Sequence, residues 1–159
     1  MTIEEKITYT LVEASQSLLL LKDNFYLIGS AALSLCGIKL DLMSDMDILV
    51  SGRDAGFLKT AWRNRLIEEH VTTDDDLFFS KFARYKFSVL DIEIMGDLKV
   101  KNNGIWKRLE IEESTSVIAG NFEIKIPTLS EQKRILQLFG REKDQKRIKL
   151  IDKELFDSH

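Results

Sequence analysis

The sequence predicts an α/β (α+β) fold: a small mixed β-sheet flanked by helices and closed by a C-terminal helical pair. Three observations carry this reading. Apolar residues at helical spacing open the chain, with Ile3, Ile7, Leu11, Ala14 and Leu18 on one stripe. From residue 25 the pattern changes to short apolar runs of strand length, broken by turn residues. After the sole proline, Pro127, it becomes helical again. A chain of 159 residues that is 44% hydrophobic can bury one real core and is too short for two comfortable ones. One domain over 1–159 is therefore expected, with a core at 25–126 and C-terminal helices at 128–157.

The first helix is expected over 3–21, ended by Asp23-Asn24. Phe25 to Ile28 reads as a buried strand, Ala31 to Leu35 as a short helix closed by Gly37, and Met46 to Val50 as the next strand. Asp54 is placed to cap a helix that continues to about His70, although Trp62 breaks its stripe. Leu77 to Phe82 and Phe87 to Met95 then read as strands paired around a turn near Arg84-Tyr85. Short strands follow at Leu98 to Val100, Ile105 to Ile111 and Phe122 to Ile126, separated by Asn-Gly and Gly-Asn turns. Thr128-Leu129-Ser130-Glu131 is a capping box, its helix runs to Phe139 with Gly140 as C-cap, and a last helix covers 142–156.

Lys and Arg number 23 against 26 Asp and Glu, a net charge of −3, so neither a nucleic-acid coat nor a membrane surface is indicated globally. Asp74, Asp75 and Asp76 are consecutive, lack the alternate spacing of a calcium loop, and read as a mobile solvated loop. One cysteine, Cys36, rules out an intrachain disulfide and any Cys-based zinc site, and its apolar setting predicts a buried spectator. His70 and His159 have no partner at a ligand spacing and read as surface residues. The acidic N-terminus is unlike a signal peptide and no apolar run has the length of a span, so a cytoplasmic protein with no membrane partner is expected.

The chemistry concentrates at Phe25-Tyr26-Leu27-Ile28-Gly29-Ser30 and Ser44-Asp45-Met46-Asp47-Ile48. Side chains alternate along a strand, so Asp45 and Asp47 share a face. Two carboxylates that close repel by about 1 kcal/mol or more unless a cation lies between them. Magnesium takes one or two carboxylates together with substrate phosphates, which suits a short acidic pair. Gly29 permits close backbone approach and Ser30 offers a hydroxyl at a helix start where an anion can be held. Asp91 and Glu93 likewise share one face of a later strand.

Together, Ile28-Gly29-Ser30, Ser44-Asp45-Met46-Asp47-Ile48, Ile92-Glu93-Ile94-Met95-Gly96 and Gly140-Arg141-Glu142-Lys143-Asp144 resemble the motifs of the nucleotidyltransferase superfamily related to DNA polymerase beta. The resemblance covers roughly 25–150. It is to the small bacterial type that includes antibiotic adenylyltransferases and nucleotidyltransferase toxins and antitoxins. It implies transfer of a nucleoside monophosphate from a nucleoside triphosphate, ATP among them, to an acceptor hydroxyl. Asp45, Asp47 and Glu93 would be the catalytic and metal-binding acids, with Asp91 competing for the third place. Mg2+ or Mn2+ would be the cofactor. Gly29, Ser30, Ser44, Arg141 and Lys143 would contact the nucleotide.

The acceptor stays open between a small molecule, a protein and RNA. The chain departs from the resemblance at Asp41, Leu42 and Met43, where relatives often carry an arginine, and at Gln137, where many carry a lysine. Those departures keep a second expectation alive: a weak or inactive relative that binds nucleotide or a partner protein, as half of a toxin–antitoxin pair or as a homodimer.

Overall fold

The structure, a computed structural model, describes residues 1–74 and 78–157, the side chains of 70–74 excepted. Asp75, Asp76 and Leu77 of the expected acidic loop and strand, the side chain of His70, and His159 lie outside the described residues.

The chain opens with α1 (Ile3–Leu18), started by a complete capping box between Thr2 and Glu5. Then come β1 (Tyr26–Ile28), α2 (Gly29–Leu35), β2 (Asp45–Val50) and α3 (Gly52–Ala61). A long antiparallel stretch follows: β3 (Leu66–Asp74), β4 (Phe78–Tyr85), β5 (Asp91–Asn102) and β6 (Ile105–Arg108). β7 (Ser114–Ala119) and β8 (Phe122–Pro127) form a hairpin, and α4 (Leu129–Phe139) and α5 (Glu142–Asp157) close the chain. Among the described residues the eight strands make one sheet in the order β3-β4-β5-β2-β1-β8-β7, with β6 also paired to β5. The sheet is mixed, because β2 runs parallel to β5 and β1 parallel to β8, while the other pairs are antiparallel.

Helices cover both faces. On one, Ile7, Leu11, Ala14 and Leu18 of α1 and Leu58 of α3 join Met46, Ile48, Ile92, Ile94, Ile124 and Ile126 from the sheet in the main core. This is the stripe of α1 meeting alternate residues of the strands, which is why both periodicities are visible in the sequence. On the other, Ile135 of α4 packs on Ile28, Leu49, Leu98 and Val100, and Leu136 meets Ile148 and Ile151 of α5. A pocket lies on this second face, lined by residues of the sheet and of α4 and α5. None of the described helices is long and apolar enough to cross a membrane.

Several expectations are corrected. The helix expected through His70 ends at Ala61, and Leu66–Asp74 is a strand. Trp62 is the reason: it is buried and packs edge-on against Tyr85 and Phe87, which turns the chain inward where the helix would have continued. The α3 N-cap is Ser51, whose hydroxyl accepts from Asp54 N–H. Asp54 is buried instead, accepting the backbone N–H groups of Lys22 and Asp23, so it pins the loop that leads into β1. β4 extends through the supposed turn at Arg84-Tyr85, and the reversal falls between it and Asp91.

β5 is continuous from Asp91 to Asn102, with a left-handed residue at Asp97 (φ 51°) and a register shift opposite Phe79 and Lys81. This irregularity reverses the alternation, so that Met95 and then Leu98 and Val100 all pack with the α4 face. The strand expected at 105–111 stops at Arg108, and β7, rich in Ser and Thr and mostly exposed, had no apolar run to announce it. α1 ends at Leu18, three residues early. Cys36 is half-buried, with Gln132 Nε2 donating to its sulfur at 3.4 Å.

Candidate active site

β2 and β5 lie side by side and parallel, in a register that sets Asp45 against Asp91 and Asp47 against Glu93. Odd-numbered residues of both strands face the α4 side, so four acids line one patch of sheet. Three of them converge: Asp45, Asp47 and Glu93 each contribute an oxygen, and these oxygens all lie within 4.8 Å of one another. Asp91 shares the face but is not in that group, and it pairs with Asp45 at the first residue of both strands.

Like charges this close raise each other's proton affinity, by about 3 kcal/mol per fully charged pair at an effective dielectric near 20. Burial first, then the hydrogen bond and charge of Glu93, push the Asp47 carboxyl well above the usual carboxylate range. Burial and Glu93 also raise Asp45, while the Ser44 hydroxyl and Arg84 pull the other way. Asp47 Oδ1 is buried and has no hydrogen-bond partner. An orphaned carboxylate oxygen among three acids has the chemistry of a hard divalent cation site, so the donor set fits magnesium or manganese.

Gly29 explains how Asp47 is accommodated. It sits where β1 passes into α2 with φ +66°, and a Cβ there would stand 2.7 Å from Asp47 Oδ2. Only glycine meets both conditions. Ser30 follows, and its hydroxyl accepts a 2.8 Å hydrogen bond from Arg147 Nη2 of α5. The positive charge of Arg147 also works to hold the Asp47 proton affinity down. Ser44 donates to Asp45 Oδ2 at 3.2 Å and is not part of the pocket wall.

These groups stand at one end of a pocket of about 460 Å³ between the sheet and the C-terminal helices. Gly29, Ser30, the three acids and Arg147 stand together on its wall, and Lys143 and apolar residues such as Phe78, Met95, Ile135 and Phe139 line it as well. Arg141 lines it too, but its guanidinium is bound to the fully buried Asp144 at 2.7 and 3.1 Å and lies 4.9 Å from the Phe78 ring centroid and 5.4 Å from that of Phe139. It closes the end of the pocket more than it reaches into the polar part. Two cations escaped the sequence reading. Arg84, from β4, donates through Nε and Nη2 to Glu93 Oε1 and stands 3.9 Å from Asp45. In the sequence Arg147 is one charge among many on a helix of mixed charge. Arg84 lies on β4 where the sequence predicts a turn, and a turn residue has no facing partner to mark it.

A solved structure from Thermotoga maritima, described as a putative nucleotidyltransferase, superposes with a TM-score of 0.74 at 17% identity, over 97% of this chain and 94% of that one. The chain has the nucleotidyltransferase fold. The lincosamide antibiotic adenylyltransferase LnuA, bound to lincomycin, shares it at a TM-score of 0.56 and 13% identity, with 93% of this chain and 95% of that chain covered. So does ANT(2")-Ia in complex with adenylyl-2"-tobramycin, at 0.53 and 14%, with 97% and 90% covered. No protein-family model matches the chain, and no curated protein does. In this nucleotidyltransferase fold the three converging acids lie on adjacent central strands, and the Gly-Ser turn lies beside them.

Proposed function

We propose that the chain is a divalent-metal-dependent nucleotidyltransferase that moves a nucleoside monophosphate from a nucleoside triphosphate to an acceptor hydroxyl. The observation that carries this reading is the convergence of Asp45, Asp47 and Glu93 within 4.8 Å, with a buried Asp47 oxygen left unpartnered, on the wall of a pocket. Asp45, Asp47 and Glu93 would hold magnesium or manganese, which when bound supplies charge neutralisation to the triphosphate.

The chain's own groups do the rest. Ser30 and Arg147 would present a hydroxyl and a cation beside the acids, with Lys143 a second cation on the pocket wall, suited to phosphate oxygens. In this reading Glu93 would serve either as a metal ligand or as the base that accepts the proton of the acceptor hydroxyl as its oxygen bonds to the α-phosphorus and the bond to the departing pyrophosphate breaks. The apolar end keeps water from competing for the same phosphorus and is large enough for part of a small-molecule acceptor.

The test supplies each of the four nucleoside triphosphates with magnesium or manganese and follows pyrophosphate release, with the mass of the protein and of candidate small-molecule acceptors as a second readout. Release is expected with at least one nucleotide and is lost in the double variant Asp45→Asn, Asp47→Asn. Tight nucleotide binding with no release under any condition would replace transfer by nucleotide binding alone.

A further inference from the structure

Glu68, Arg84, Glu93 and Asp47 form one transverse row across four adjacent strands. Glu68 of β3 pairs with Arg84 of β4, Arg84 with Glu93 of β5, and Glu93 with Asp47 of β2. Arg84 therefore has a carboxylate on either side. Inward it donates to Glu93 Oε1 and lies 3.9 Å from Asp45; outward its Nη1 is 3.5 Å from Glu68 Oε1. The inner partner is the drier one, the Glu93 side chain being 12% exposed against 47% for Glu68. One guanidinium cannot neutralise three inner acids, and it leaves Asp47 Oδ1 without a partner.

We propose that Arg84 is a resident counterion that competes with the divalent metal for Asp45 and Glu93, with Glu68 as the outer carboxylate that receives it when the metal enters. This rests on the reading of Asp45, Asp47 and Glu93 as a metal site. The two positions need only side-chain rotation, because both partners are direct cross-strand neighbours and a long arginine spans either one. The metal affinity of the free protein is then set by a contest whose two sides are residues of this chain. Glu68 is not among the residues that line the pocket, so it acts on the metal from outside, through Arg84 and through its own charge at a distance.

The opposite signs of two variants make the test. Mn2+ binding to the full chain without nucleotide is measured by calorimetry, at fixed pH and ionic strength, for the wild type, Arg84→Gln and Glu68→Gln. Arg84→Gln is expected to bind Mn2+ roughly five- to tenfold more tightly, the scale of one half-buried ion pair released. Glu68→Gln is expected to bind it a few-fold more weakly, since Arg84 then has no outer partner. Thermal melts add a readout independent of affinity: Arg84→Gln loses stability without metal and recovers it with saturating Mn2+.

An Arg84→Gln variant that binds Mn2+ more weakly makes Arg84 an orienting residue for Glu93 and overturns the proposal. Unchanged affinity in both variants overturns it as well. If Arg84→Gln does not fold, Glu68→Gln remains the test, and an unchanged or tighter Mn2+ affinity in it overturns the proposal. A wild type that takes up no Mn2+ brings down the metal reading itself, and this inference with it.

Discussion

Asp47 and Glu93 are direct cross-strand partners in the parallel pairing of β2 with β5, and the proximity of their carboxyl groups is imposed by backbone register. No rotamer change relieves it fully. The raised proton affinities of Asp47 and Asp45 follow from that register and from burial. Between the ordinary carboxylate range near pH 4 and the raised folded values, the folded chain holds more protons than the unfolded one. Stability of the metal-free protein should therefore fall as pH rises through that window, the reverse of the usual salt-bridged acid.

Asp47→Asn removes the most strongly shifted of these groups. It is expected to flatten the pH dependence and to raise metal-free stability above that window by on the order of 1 kcal/mol, while Mn2+ binding collapses. Chemical denaturation across pH 4 to 9, with and without Mn2+, reads both effects. A wild-type stability that rises through the same window would contradict the electrostatic account of the site.

Gly29→Ala tests the turn that makes room for Asp47. The left-handed backbone costs an alanine about 1–2 kcal/mol, and its methyl group would meet Asp47 Oδ2 at 2.7 Å. Lower stability is expected together with a displaced Asp47 and weaker Mn2+ binding. Gly140→Ala is the control: Gly140 is also left-handed, at φ +67°, as the C-cap of α4, and is far less crowded. It should cost the backbone part alone, about 1–2 kcal/mol, and leave metal binding alone.

The acids and the Gly-Ser turn were legible because a strand's alternation puts i and i+2 on one face, and this depends on nothing distant. The choice of Glu93 over Asp91 was not, since both share that face and only the β2–β5 register separates them. Arg84 was hidden for a related reason. Its importance comes from lying between Glu68 and Glu93, two contacts that exist only once three strands are paired. Local signals also misled where tertiary packing outweighed them, as at Trp62, whose burial against Tyr85 and Phe87 ends a helix that charged residues could have continued. β7 escaped because an exposed edge strand needs no apolar alternation.

Asp144 is fully buried, and its carboxylate accepts from the backbone N–H, Nε and Nη2 of Arg141. That joins the start of α5 to the Phe78 and Phe139 rings on which the guanidinium rests. Asp144→Ala should cost about 3 kcal/mol, slightly less than a pair buried on both sides because Arg141 is partly exposed. The matching Arg141→Met change keeps a side chain over the rings but strands the acid, so it is expected to destabilise comparably. Measured by denaturation, a double variant Asp144→Ala, Arg141→Met far less destabilised than the sum of the singles would show the pair acting as a unit.

Arg147 and Ser30 are the closest approach of α5 to the Gly-Ser turn, and their 2.8 Å hydrogen bond lies beside the acid group. A triphosphate held at this end of the pocket would take both as donors, the arginine through charged hydrogen bonds worth about 1.5–3 kcal/mol and the hydroxyl through a weaker neutral one. Arg147→Ala should therefore raise the nucleotide KM about tenfold or more, and Ser30→Ala about threefold, with smaller changes in kcat if the contacts serve ground and transition states alike. Arg147→Lys should recover only part of the loss, because a point charge does not reproduce the planar fork. Stability should move little in all three, since the bond is only partly buried. An Arg147→Ala variant that melts early but keeps its KM would make this contact a strut between α5 and α2, with phosphate binding left to Lys143.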